Sequence, residues 1–221
     1  MPQRYSITMI ILLFLTLFFS ICSSVRAATD NSFGTVVEDF GKTCLEDTEG
    51  ILTAPGQWER EQWLKSAIIA GTTLLLLESD QSVREYFQEH RTGFSDNLSG
   101  VMDKLGNISY LAPALGMWYL YGRAVKNSKA QETALVSLES LMIAGGLTGV
   151  IKVAFHRSRP YTAAGARDFN GPAFSWEDEQ LSFPSMHSAA AFAVATVVAD
   201  SYQDRPWVPV VSFTTASLVA L

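Results

Sequence analysis

Two short blocks of this 221-residue sequence place cationic, hydroxyl and imidazole side chains at spacings that suit a tetrahedral anion. In the first block, Lys152 and Arg159 lie seven residues apart, and Pro160 follows. Seven helical steps of about 100° nearly complete two turns, so both cations would share one helix face. Because proline disfavours α geometry in the preceding residue, the helix is predicted to end at Arg159. A long ammonium and a forked guanidinium that converge in this way suit an oxyanion such as phosphate.

The second block, SFPSMHS, runs from Ser182 to Ser188 and leads into an alanine-rich stretch. Proline and serine before such a stretch are helix-start signals, so backbone N–H groups near Ser185 and His187 would face an anion. A histidine in this first turn can also give a proton to a departing oxygen. Each block alone has a purely structural alternative. Basic residues complement the carboxyl end of a helix dipole, and a serine is an ordinary helix cap.

Together the two blocks resemble the type 2 phosphatidic acid phosphatase superfamily, which includes class A bacterial acid phosphatases and vanadium haloperoxidases. The signature of that family is K-x6-R-P, then P-S-G-H, then S-R-x5-H-x3-D. The first block matches fully, and Pro184-Ser185-Met186-His187 matches the second except that Met186 replaces glycine. The resemblance extends over about residues 60 to 221 and implies the helical fold of that family.

The resemblance also implies a role for each matching residue. Lys152 and Arg159 would bind the phosphoryl oxygens, Ser185 would add a hydroxyl and a backbone donor, and His187 would protonate the leaving group. The implied reaction is hydrolysis of a phosphomonoester or diphosphate through a phosphohistidine, without a metal or another cofactor. Met186 is expected to change the shape of the pocket and to leave the chemistry intact.

The third block of the signature has no counterpart, since no histidine follows His187 in the 221 residues. In the family that histidine attacks phosphorus, so we expect the 221-residue chain to be inactive. It would be either an incomplete sequence of a normal enzyme or a shortened relative. His156 has no acidic neighbour in sequence to orient it and is interpreted as a packing residue. His90 lies in a polar connection and is interpreted as exposed.

Two alternatives to a phosphatase remain open. One is a vanadate-dependent haloperoxidase, because vanadate would occupy the same cage as phosphate. The other is a non-catalytic phosphate-binding membrane protein. For a phosphatase, the apolar helices favour a lipid phosphate or polyprenyl diphosphate as substrate over a small soluble phosphoester.

The elements that must position these residues are predicted to be all α-helical. Apolar segments without strand-like alternation are separated by polar links such as 92–99 and by proline-containing turns. There are five of them: Ser66–Leu77, Leu105–Gly122, Ser140–Ile151, Ser188–Ala199 and Pro206–Leu221. Most of their charge-free runs are shorter than the roughly 20 residues that one membrane crossing needs. Their apolar circumference nevertheless suits lipid as well as a tight bundle, so membrane-spanning helices stay open.

The domain organisation follows from composition. Residues 1–27 combine Arg4, an apolar run and a small-residue exit, as in an export signal or an uncut anchor. Residues 28–59 are acidic and are predicted to be loose with one short helix, and 60–221 form the helical domain. The predicted location is the outer side of the cytoplasmic membrane or the periplasm. A formal net charge of −6 argues against a nucleic-acid partner, and nothing in the sequence indicates the oligomeric state.

Overall fold

The computed structural model describes residues 31–77, 79–159, 168–173 and 178–220. Over these residues the chain forms eight α-helices and no strand, which confirms the all-α prediction. The predicted export signal or anchor, residues 1–27, lies outside the described residues. The chain divides into two units, Met1–Gln57 and Trp58–Leu221.

The first unit contains one long helix, α1 (Asn31–Thr53), and a 3₁₀ turn over Ala54–Gln57. The prediction of a loose segment with one short helix was therefore wrong. No proline interrupts residues 31–54, and an i,i+4 ion pair between Glu38 and Lys42, at 3.3 Å, supports the exposed face. Glycines lower helix propensity by about 1 kcal/mol each, which did not suffice to break the helix here.

The second unit contains the other seven helices. They are α2 (Arg60–Leu77), α3 (Asp80–Glu89), α4 (Gly93–Gly106), α5 (Ile108–Ala124), α6 (Ser128–Phe155), α7 (Met186–Ser201) and α8 (Trp207–Ala220). Helices α5 to α8 pack against one another in chain order, and α4 packs against α5, α7 and α8. Helix α7 therefore packs against three helices, α4, α6 and α8.

The core of this unit is built around small side chains on α7. Ala190 packs with Leu115 of α5 and Leu141 of α6, and all three are buried. A second cluster joins Ala191 and Ala195 of α7 to α8. Methyl side chains let the neighbouring backbones approach α7 closely, so the position of its first turn depends on these contacts.

Polar residues cap the starts of three of these helices, α4, α5 and α6. Asn107 accepts the Ser109 N–H at 2.8 Å before α5, and Asn127 accepts the Ala130 N–H at 3.1 Å before α6. Thr92 and Ser95 form a reciprocal capping box before α4. Residues 92–99, predicted as a polar link, are therefore mostly the start of a helix. Their polar residues are capping signals.

Helix α6 is much longer than the apolar segment Ser140–Ile151 that predicted it, with 28 residues from Ser128 to Phe155. It is the one helix among the described residues that is long and apolar enough to cross a membrane. At 1.5 Å per residue it spans about 42 Å. Lys129 lies in its first turn and Lys152 in its last turn.

Candidate active site

The carboxyl end of α6 places Lys152 in the interior of the protein. Its side chain is buried, and its Nζ donates a hydrogen bond to the main-chain carbonyl of Leu181. Leu181 immediately precedes the second sequence block. A charged side chain in this position is stable only when polar atoms surround it, because burial of an unpaired charge is costly.

Helix α6 ends at Phe155, four residues before the predicted end at Arg159, and this part of the prediction was wrong. His156 adopts the left-handed conformation, with φ 46° and ψ 53°, and turns the chain away from the helix axis. Backbone N–H groups of residues 170, 171 and 173 then satisfy the last carbonyls of the helix, at 3.0 to 3.2 Å. Proline restricts only the residue before it, so the sequence did not reveal this earlier cap.

Gly171 belongs to this cap and requires glycine. A Cβ atom there would collide with the main chain of Ala154 and Phe155. Because Gly171 has no side chain, the segment of residues 168–173 can approach the end of α6 closely. His156 lies beneath this crossing with 1% of its surface exposed, which is consistent with a packing residue.

Main-chain hydrogen bonds join the two sequence blocks. The Arg159 N–H donates to the Glu179 carbonyl at 2.7 Å, and the Ser182 N–H donates to the Arg157 carbonyl at 3.0 Å. The Ser182 hydroxyl also contacts the carbonyls of Arg157 and Ser158, at 3.0 and 2.9 Å. The end of the first block therefore runs beside the segment that leads into the second.

Aromatic rings reinforce the same junction. Phe155, at the end of α6, makes edge-to-face contacts with Phe169 at 6.0 Å and with Phe183 at 5.7 Å between ring centroids. Because Phe183 lies in the second block, these rings hold both blocks to the end of α6. The Arg157 guanidinium lies over the Phe169 ring at 5.6 Å, so this cation has a partner outside the predicted phosphate site.

A small polar cluster fixes the backbone next to Arg159. The Ser158 hydroxyl donates to the Asp168 carboxylate at 2.5 Å, and the Ser158 N–H donates to the Asp168 carbonyl at 3.0 Å. The Asn170 amide contacts the same carboxylate at 3.2 Å. Asp168 therefore supports the backbone of the first block.

The second block begins α7 as predicted. Ser185 is the N-cap, and its hydroxyl accepts the Ser188 N–H at 3.3 Å. Met186 is the first helical residue and is not among the described residues with positive φ, so this backbone does not require the glycine of the family signature. Its sulfur lies on the side of Gly145 of α6, 3.9 Å from where a Cβ of that glycine would be.

His187, in the first turn of α7, lies against the last turn of α4. Its Nε2 is 3.2 Å from the Asp103 Oδ1, and its side chain is 39% exposed. The Nε2 atom itself is covered, and the described part of the chain offers it no partner in ideal hydrogen-bond geometry. The imidazole and the carboxylate are therefore close enough for a hydrogen bond, but the angle between them is unfavourable for one.

Gly106 makes this close approach possible. A Cβ on Gly106 would lie 2.8 Å from the His187 Cβ and 3.1 Å from its Cα, and 2.5 Å from a Val219 methyl. Sequence reasoning missed both Asp103 and Gly106. Their spacing of three residues places them on one face of α4, but nothing in the sequence indicates that this face meets the second block.

The structure thus brings the first block beside residues 179–182, which precede the second block. It places Lys152 in the interior, Ser185 at a helix start and His187 in the following turn. That all four side chains, Arg159 included, surround one anion stays a prediction. Within the described residues, no group of three or more histidine, cysteine or acidic side chains is arranged to hold a metal ion.

Comparison with known proteins shows what the helical region that contains these residues is similar to. Residues 133–221 match the model of the PAP2 superfamily. The chain is also 29% identical over 156 residues to the lipid A 1-phosphatase of Porphyromonas gingivalis, an alignment that covers 69% of this chain and 30% of that relative. No solved structure matches the chain. The resemblance predicted from the two blocks is therefore confirmed, since the PAP2 superfamily model matches the part of the chain that contains both of them.

Proposed function

We propose that this chain binds the phosphoryl group of a phosphorylated lipid, as part of a metal-independent phosphatase. The observation that carries the proposal is the joining of the two blocks by main-chain hydrogen bonds at the end of α6. Because Arg157, Ser158 and Arg159 are tied to residues 179–182, the cations of the first block stay close to the start of α7.

Each side chain then has a distinct task. Lys152 and Arg159 stabilise the charge that spreads over the phosphoryl oxygens in the transition state. Ser185 adds a hydroxyl and the N–H groups of a helix start. His187 gives a proton to the leaving oxygen, so that the departing group leaves as an alcohol or a phosphate monoester.

Two observations support a lipid as the substrate. Helix α6 is long and apolar enough for a bilayer, and its carboxyl end carries Lys152. The relative from Porphyromonas gingivalis is a lipid A 1-phosphatase, of which this chain spans about 30%. We infer a site at a membrane surface, facing the outside of the cytoplasmic membrane, where a lipid headgroup would meet the end of α6.

The phosphohistidine route also needs a histidine that attacks phosphorus. His90 is exposed at the end of α3, His156 is buried beneath the cap of α6, and His187 has the role of the acid. None of these three is suited to the attack. We therefore propose that the 221-residue chain binds a phosphoryl group without hydrolysing it.

The test is calorimetric titration of the purified chain in detergent with inorganic phosphate and with orthovanadate. Arg159→Ala should weaken binding about tenfold to a hundredfold, since a hydrogen bond to a charged group contributes roughly 1.5–3 kcal/mol. The matched control is Arg205→Ala, which removes an exposed arginine from the turn between α7 and α8 and should leave binding unchanged. Equal affinities in all three proteins would contradict the phosphate site.

Turnover is measured on the same protein with vesicles that contain phosphatidic acid and with a soluble phosphomonoester. We expect no phosphate release from either. Hydrolysis of either substrate would refute the assigned need for a further histidine. Halide oxidation by peroxide in the vanadate-loaded protein would instead indicate the haloperoxidase alternative.

A further inference from the structure

The last turn of α4 meets the second block although it lies outside residues 133–221, the part that matches the family model. We infer that Asp103 is a positioning residue for His187, and that Gly106 lets the two helices come close enough for this contact. The inference rests on the proposed role of His187 as the acid of a phosphatase.

Three features of the contact support the inference. The Asp103 Oδ1 lies 3.2 Å from the His187 Nε2, a distance at which an Nε2–H can donate a hydrogen bond to the carboxylate. The Nε2 atom is covered, so a proton on it gains little from water. The Asp103 side chain is 64% exposed, so its carboxylate can rotate into line with the ring.

The packing of Gly106 supplies an independent observation. Its missing Cβ would come within 3.1 Å of the His187 Cα and 2.8 Å of its Cβ. The main chains of α4 and α7 therefore meet at the residue that carries the imidazole. Asp103 lies one turn before Gly106, which directs its carboxylate toward the same ring.

The consequence for the chemistry concerns which ring nitrogen acts. With Nε2–H held by Asp103, the imidazolium gives up its other proton, from Nδ1, to the leaving oxygen. The Nδ1–H bond breaks, its electron pair stays on nitrogen, and a new O–H bond forms on the departing group. The ring is left as the neutral Nε2–H tautomer, whose Nδ1 can later accept a proton from the attacking water.

The test uses nitrogen NMR of the full 221-residue chain with ¹⁵N-labelled histidine, at about pH 8.5, where an unperturbed imidazole is neutral. His187→Gln identifies the His187 signals among the three histidines. In the wild type, Nε2 should show the shift of a protonated nitrogen and Nδ1 that of an unprotonated one. Asp103→Ala should move both shifts toward each other, because the two tautomers then mix.

Asp103→Asn keeps an oxygen acceptor and should restore most of the wild-type pattern. The control is Asp96→Ala, on the same helix, whose carboxylate pairs with Arg91 at 2.6 Å. It should leave the His187 signals unchanged. The helical circular dichroism signal of each variant verifies that the variant is folded. If Asp103→Ala is not folded, the comparison of wild type with Asp103→Asn replaces it.

An Nδ1–H tautomer in the wild type, or identical His187 shifts in wild type and Asp103→Ala, would overturn the inference. If Asp103→Ala does not fold, different His187 nitrogen shifts in wild type and Asp103→Asn would also overturn the inference. The readout needs no bound phosphate. Failure of phosphate binding with a responsive His187 signal would therefore reject the proposed function and leave the Asp103 contact intact.

Discussion

Helix α6 carries a lysine near each end, and the two are held in opposite ways. Lys129, in the first turn, is 48% exposed, pairs with Asp204 at 3.0 Å and lies over the Tyr202 ring at 4.6 Å. Lys152, in the last turn, is 8% exposed and donates to the main-chain carbonyl of Leu181. The same residue type on one helix thus has a surface environment at one end and an interior environment at the other.

This difference concerns how each ammonium group is solvated. The Lys129 ammonium stays hydrated and meets an exposed carboxylate, an arrangement that any solvated helix end can adopt. The Lys152 ammonium has lost most of its water, which raises the free energy of the folded chain unless polar atoms compensate. The carbonyl of Leu181 is one polar atom that compensates the buried Lys152 ammonium.

The largest effect is expected when the interior lysine loses its charge. Lys152→Met keeps the apolar stem and should weaken phosphate binding about tenfold to a hundredfold, since a charge-assisted hydrogen bond contributes roughly 1.5–3 kcal/mol. Lys129→Met is the matched control at the other end of the same helix and should bind phosphate like the wild type. Calorimetry measures the phosphate affinity of both variants. Equal losses of affinity would contradict the proposed difference between the two lysines.

Two glycines at close helix contacts, Gly106 beside the start of α7 and Gly122 beside the start of α6, extend the comparison to packing. Gly106→Ala would press on His187 and Val219, and Gly122→Ala would press on Ala130 and Gln131 at 3.0 to 3.1 Å. Each should lower the free energy of unfolding by about 1–3 kcal/mol through overpacking. Denaturant unfolding measures this loss.

Phosphate titration then separates the two glycine variants. Gly106→Ala should also weaken phosphate binding, because it displaces the residue that carries the imidazole. Gly122→Ala should bind normally once folded. Normal binding by Gly106→Ala would show that the position of His187 is irrelevant to the anion.

The smallest effect concerns pH at the exposed end. The hydrogen bond from Lys129 lowers the pKa of Asp204 below its ordinary value. A carboxyl group whose pKa is lower in the folded state stabilises the fold above its ordinary pKa and loses that contribution as the pH falls through the lowered value. The stability difference between wild type and Asp204→Asn should therefore shrink in acid. Thermal unfolding between neutral and acidic pH measures it, and a difference that grows in acid would contradict the pairing.

The sequence predicted what depends on local patterns and missed what depends on long-range contacts. Apolar segments gave the helices α5 to α8, and the proline–serine signal placed the start of α7 correctly. The end of α6 was wrong because its cap comes from residues 170–173, distant in sequence. Asp103 and Gly106 were missed for the same reason, since only packing of α4 on α7 brings them to His187.

The polar amino-terminal part shows the opposite failure. Residues 31–53 lack the apolar periodicity that identifies a helix, yet they form one without interruption. Local hydrogen bonds and i,i+4 pairs are enough when no proline intervenes. Composition therefore identified the exposure of this region better than its secondary structure.

The alanines along α7 have a consequence for how its first turn responds to change elsewhere. Alanine has no side-chain rotamers, so burying Ala190, Ala191, Ala195 and Ala199 loses no rotamer entropy and leaves no flexible group to absorb a misfit. A bulkier residue at any of these positions would displace helix α7 as a whole relative to the helices that pack against it. Ser185 and His187 would move with it, so substitutions up to four helical turns away, about 20 Å, can displace the first turn of α7.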